Sequence, residues 1–307
     1  MSRSLDNQIG NLREGNDMKL WKSAVFAGFL AAAPLTAQAE PGVWQLADED
    51  TTIYLFGSYH ALPVDFDWRT EAFNRVLREV EAVYFEAPID DETAALMRAR
   101  LDESGRFDDG ERLSDFLDAD TIAQLRVTEA QVGLPTEFLE PYKPWYAALM
   151  ITVFQAVALG YDPSTGVEIA VRAEAEVSGI RMGGLETLEE HLSLFAEMSD
   201  ATGMAFLRSV VREREGAGQL LDDMRAAWDA QDLQRLALMA EESFTSYDVG
   251  IAQRLLWNRN ANWIPRIESL LDQPGKVMVV VGATHLGGER GVIMLLEARG
   301  HSVLEVD

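Results

Sequence analysis

Of the four histidines in these 307 residues, two sit in matching places. The β-prone run Thr52–Phe56 ends in Gly57-Ser58-Tyr59-His60, and the run Val277–Val281 ends in Gly282-Ala283-Thr284-His285. In each, a glycine closes an apolar strand and a histidine follows three residues later. Glycine allows the positive φ or close backbone approach of a sharp turn. The imidazole is then presented at the carboxyl end of a strand, where open α/β sheets bind ligands. With 23 Gly and 4 His in the chain, chance supplies about 0.3 such spacings. One such histidine alone would be an ordinary hydrogen-bonded turn residue; the pair in equivalent settings points to chemistry.

A third candidate is Glu86, which ends the short strand Val83–Phe85. Two imidazoles and one carboxylate make a divalent-metal site that leaves positions open for water. Taken singly, Glu86 reads equally as a helix cap or surface carboxylate before Pro88. A serine nucleophile is a poorer reading, because Gly57-Ser58-Tyr59-His60 is not a Gly-x-Ser-x-Gly elbow and Ser58 is too near His60 in the chain to meet it as a base. The pair Gly287-Gly288 lacks the spacing of a phosphate or dinucleotide loop.

The elements that would carry these residues follow from periodicity. Val43–Leu46 and Thr52–Phe56 suit a hairpin around Asp48-Glu49-Asp50, and Trp68–Val80 has helical spacing at Ala72, Phe73, Val76, Leu77 and Val80. Followed by Ala82–Phe85, this is a strand–helix–strand unit, which favours parallel strands and sets the Glu86 strand beside the Gly57 strand. From Asp91 to about Asp272 most of the chain scans as helix, including 120–132, 144–159, 166–177, 188–198 and 233–257, with a strand returning at Ile180–Leu185. Val277–Val281 suits a central strand buried on both faces. A helix at 292–299 and a strand at 302–306 close the chain. Trp145, Trp228, Trp257 and Trp263 fall on or beside apolar helical stretches and read as core or groove residues. Strands at the two ends and a helical middle thus read as one α/β domain with helical insertions, over residues 40–307.

Composition removes other classes. There is no cysteine, so disulfide frameworks, thiolate metal sites and cysteine nucleophiles are excluded. A formal charge of −25, from 26 Lys+Arg against 51 Asp+Glu, argues against nucleic acid and anionic lipid as partners. Met18–Ala39 reads as an export signal: Lys19 and Lys22 precede the apolar Ala24–Ala33, and Ala37-Gln38-Ala39 fits a signal-peptidase site. Residues 1–39 are therefore expected to be a leader, with translation starting at Met1 or Met18, and the product to be periplasmic or secreted without stable membrane insertion. Retention of the leader as an anchor is the alternative.

At these motifs the sequence resembles the TraB/GumN family, related to the Tiki metalloproteases and more distantly to erythromycin esterases and haem-binding ChaN-like proteins. The resemblance rests on Gly57–His60, Glu86, Gly282–His285 with Gly287-Gly288, and the internal segments Gly166-Val167-Glu168, Gly184-Leu185-Glu186-Thr187 and Arg259-Asn260. It implies an α/β fold of erythromycin-esterase/ChaN-like type, a mixed central β-sheet with flanking helices and a long helical insertion, and, by analogy with Tiki proteins, metal-dependent hydrolysis of a peptide bond. His60, Glu86 and His285 would hold the ion and Arg259 would stabilise developing negative charge, with manganese, cobalt, zinc and iron all compatible. Glu168 and Glu186 read either as carboxylates supporting the site or as ordinary helix-terminus residues. His191 stands where the family has glutamine and is left outside the site. The alternatives are a metal- or haem-binding envelope protein without turnover, a factor in polysaccharide biosynthesis or export, and a scaffold with a decayed site.

Overall fold

The computed structural model describes residues 41–88, 90–108 and 110–306. The expected leader, its cleavage site and the choice of start lie outside the described residues. The strands are β1 (Val43–Ala47), β2 (Thr51–Ser58), β3 (Leu62–Pro63), β4 (Ala82–Phe85), β5 (Tyr161–Asp162), β6 (Arg181–Gly184), β7 (Gly275–Gly282) and β8 (Leu304–Glu305). Six form one mixed sheet in the order β6-β4-β7-β2-β1-β8, while β3 and β5 pair separately. The expected hairpin is present: β1 runs antiparallel to β2 with Val43 opposite Phe56, and the Asp48 carboxylate closes the turn by accepting from the backbone N–H groups of Asp50 and Thr51.

The other half of the sheet is parallel. Strand β7 lies between β2 and β4, with Gly57 opposite Val281, Ser58 opposite Gly282 and Phe85 opposite Val280. This corrects the expected adjacency of the Glu86 and Gly57 strands: they are parallel, but β7 separates them. The physical reason is burial. Met278, Val279, Val280 and Val281 have no exposed surface, and such a strand needs neighbours on both edges and cover on both faces. Strand β6 extends the parallel set beside β4, and the pairing continues past its end through Leu185 N–H to the Phe85 carbonyl and Glu186 N–H to the Glu86 carbonyl. The region between β4 and β7 is mostly helical, yet it returns to the sheet at β6.

Local chemistry explains the helix that comes after the first motif. Thr70 caps Glu71–Glu79 by accepting from Phe73 N–H, and Phe73, Val76 and Leu77 form its buried face. Each buried side chain of this size contributes roughly 1.5–3 kcal/mol. Phe73 packs on Phe56 of β2 with ring centroids 4.6 Å apart, which holds the strand leading to His60. A second core, built from helical residues such as Leu125, Trp145, Ile151, Leu207 and Ile251, lies apart from the sheet's core.

The expected helix 233–257 divides and then runs on. A helix over Leu233–Thr245 stops, Asp248 recaps the chain by accepting from Gly250 N–H, and after Val249–Ala252 a π turn at Gln253–Trp257 leads into a helix over Asn258–Ser269. Arg259 thus lies inside a helix rather than beyond a helix end. The extra residue per turn of a π segment resets which way the next helical residues face. Arg259, Asn260, Trp263, Ile264 and Ile267 then form one buried stripe.

Candidate functional site

Four adjacent parallel strands end at one edge and deliver the predicted residues there. Strand β2 leads to His60, β4 to Glu86, β7 to His285, and β6 to Glu186. A Cβ placed on Gly282 would stand 3.2 Å from Glu86 Oε1, 3.2 Å from His60 Nε2 and 3.4 Å from His285 Cδ2. The three residues singled out in the sequence therefore face a common point that stays open because residue 282 is glycine. Neither motif glycine has a positive φ. At Gly57 the requirement is close approach instead, since a Cβ would lie 2.8 Å from the Ala283 Cβ. The two turns pack glycine against alanine, which brings the histidines together.

His60 leans outward, with its side chain 69% exposed, and its Nδ1 lies 2.5 Å from Glu168 Oε1. The buried Ser58 hydroxyl donates to that same oxygen at 2.5 Å. Glu168 reaches them from the first turn of the helix Val167–Ser178, whose Val167 N–H bonds the Tyr59 carbonyl. The neighbouring glycine is obligatory, because any side chain at Gly166 would collide with the His60 carbonyl oxygen. The Glu168 carboxylate pushes the His60 imidazole up to about 9. Burial works against ionised Glu168, but His60 and the Ser58 hydroxyl outweigh it and hold the carboxyl below its usual range. Ser58 and His60 therefore share a carboxylate and do not form a nucleophile–base pair.

His285 is buried. Its Nδ1 is 2.6 Å from Asn260 Oδ1, and the Asn260 amide donates to the Arg290 carbonyl at 2.8 Å. With Nδ1–H donating to Asn260, Nε2 carries the lone pair, 3.8 Å from Glu86 Oε1 and 3.3 Å from an Arg259 terminal nitrogen. Burial, assisted by Arg259, drives this imidazole down to about 3. Trp263 backs it, with ring centroids 4.6 Å apart.

Arg259 joins the carboxylates. It donates to Glu86 Oε2 at 2.5 Å and to Glu186 at 2.7 and 3.0 Å, and its guanidinium lies 4.7 Å from the Trp263 ring centroid. Glu86 Oε1 accepts from Gly282 N–H at 2.7 Å. Burial opposes ionised Glu86, yet Arg259, the two imidazoles and that N–H hold it well below the usual carboxylate range. Glu186 also accepts from Trp263 Nε1 at 2.9 Å and lies 2.8 Å from His191 Nδ1. Sequence reasoning left His191, Trp263 and the roles of Ser58 and Asn260 outside the site. The usable signal was helical spacing from Arg259 to Trp263, hidden by the expected helix end at Trp257.

In donor type the set suits a divalent cation. Both histidines have Nδ1 pinned by an oxygen acceptor, the arrangement that orients a ligating Nε2, and Glu86 Oε1 lies 3.8 Å from His285 Nε2. In spacing, no three His, Asp or Glu side chains among the described residues are gathered as an ion site.

Two histidines and a carboxylate at the ends of parallel strands, with a buried arginine, define an α/β protein with a polar centre at the sheet's carboxyl edge. The TraB/PrgY/gumN family profile matches residues 42–304, and the chain belongs to that family. Two relatives are each described as "Uncharacterized protein YbaP", from Escherichia coli (strain K12) and from Shigella flexneri. Each is 23% identical over 188 residues, covering 61% of this chain and 68% of the relative. No solved structure matches the chain.

Proposed function

We propose that the protein is an exported hydrolase that cleaves a peptide bond with a divalent cation held by His60, Glu86 and His285. The single observation that carries this reading is the convergence of His60 Nε2, Glu86 Oε1 and the His285 ring on the open point at Gly282. A divalent cation bound there would supply an acidified water and polarise a carbonyl. Glu168 and Asn260 fix which nitrogen each imidazole presents. Glu86, ionised and anchored by Gly282 N–H, would present Oε1 to that cation while Oε2 stays on Arg259. The Arg259 terminal nitrogen 3.3 Å from His285 Nε2 makes no carboxylate hydrogen bond among the described residues and would stabilise negative charge developing on the substrate oxygen. The export reading is supported by the leader-like sequence of Met18–Ala39.

Metal analysis of the purified protein, followed by cleavage of a peptide library, tests the proposal, with His60→Ala and His285→Ala as controls. Metal-dependent cleavage lost in both variants is expected. Cleavage that survives both would overturn the proposal, and metal retention without cleavage would favour a binding protein.

A further inference from the structure

Beside the centre, a cleft of about 460 Å³ opens between the helix Leu188–Ala196 and the helical run Gln253–Ser269, and Glu186 and Arg259 belong to both. Its volume is within the range of ligand sites. Along one wall Arg254, Asn258, Asn262 and Arg266 recur every fourth residue. The arginines are engaged: Arg254 donates to the carbonyls of Ser193 and Glu197, and Arg266 to Glu190 and the Leu185 carbonyl. Asn258 and Asn262 are exposed and make no side-chain hydrogen bond to the described residues. The unused polar capacity of this wall is thus neutral, which disfavours an anionic ligand.

We infer that this cleft binds the main chain of an extended polypeptide, with the carboxamides of Asn258 and Asn262 pairing with its peptide groups and leading it to the centre beside Arg259. A carboxamide offers one acceptor and one donor side by side, matching the N–H and C=O of a single extended residue. The spacing also matches. Four helical residues rise about 6 Å, and two residues of an extended chain advance about 6.6 Å. Each asparagine would therefore meet alternate residues of the same chain, leaving the side chains between them free to vary. The residues lining the cleft include no aromatic ring, so nothing there stacks on a sugar face. This inference rests on the peptide-bond reading for its substrate and adds where the chain lies and what holds it.

The test measures binding separately from cleavage. Fluorescence anisotropy would compare wild type with the Asn258→Ala/Asn262→Ala double variant, using a pool of fluorescein-labelled unstructured dodecapeptides. Both sites are exposed on a helix, where alanine is well tolerated. Loss of the paired hydrogen bonds is expected to weaken binding about tenfold or more. The same pool with N-methylated peptide bonds should bind wild type as weakly as the unmodified pool binds the variant. Equal affinity of wild type and variant, indifference to N-methylation, or binding of oligosaccharides in place of peptides would overturn the inference. Peptides bound in this way but never cleaved would leave the cleft standing and remove the hydrolase reading. Peptides cleaved while both proteins bind equally would do the reverse.

Discussion

The two Gly-x-x-His turns begin from nearly the same sequence, end neighbouring parallel strands, and place their imidazoles in opposite states. His60 is 69% exposed with a carboxylate on Nδ1, whereas the His285 side chain is 5% exposed with a neutral carboxamide on Nδ1. The first imidazole is pushed up to about 9 and the second down to about 3. What sets the charge is the element that packs against each turn: the helix starting at Val167 brings Glu168 to one, and the helix carrying Arg259 and Asn260 buries the other. The two imidazoles thus differ in charge at neutral pH, and a cation bound at His60 Nε2 would have to displace its proton.

The largest effect should come from removing the charge that organises the buried turn. Arg259→Ala leaves Glu86 and Glu186 facing each other without their cation, and should cost about 3–5 kcal/mol in urea unfolding. A loss below about 0.5 kcal/mol, the scale of a neutral surface change, would show that the second turn does not depend on this network.

A smaller effect, of opposite sign at the two turns, should appear in the pH dependence of stability. His60 binds its proton more tightly folded than unfolded, so its contribution is complete below about 6.5 and is lost as pH rises through about 9. His285 resists protonation when folded, so its contribution is present above about 6.5 and is lost as pH falls toward about 3. Urea midpoints across pH should therefore fall on both sides of neutrality. Glu168→Gln should flatten the alkaline limb and His285→Gln the acid limb. The alkaline limb should be the shallower, because solvent screens His60, the exposed partner of Glu168. Unchanged limbs in both variants would mean that the two imidazoles do not differ in proton affinity.

The smallest stability effects separate the two motif glycines. Gly57→Ala forces a methyl group against Ala283 and should cost about 1–3 kcal/mol. Gly282→Ala meets its neighbours at 3.2–3.4 Å and should cost under about 1 kcal/mol, while placing a methyl group where His60, Glu86 and His285 face. It should abolish cation binding measured by calorimetry. Full cation binding in Gly282→Ala would dissociate the open point from function.

Periodicity and residue type alone specified the first hairpin, the strand–helix–strand unit after it, the buried central strand β7, the two histidine turns and the strand-end Glu86, because strand alternation, apolar runs and glycine spacing are local properties of the chain. Several features depended on contacts that no local pattern encodes. The place of β7 between β2 and β4, the π turn that carries Arg259 into a helix, and the pairing of Glu168 with His60 and Asn260 with His285 join residues far apart in sequence. Proton affinity is the clearest case: two histidines in the same short motif differ because an imidazole's charge depends on burial and on the charges packed beside it, which only the folded chain supplies.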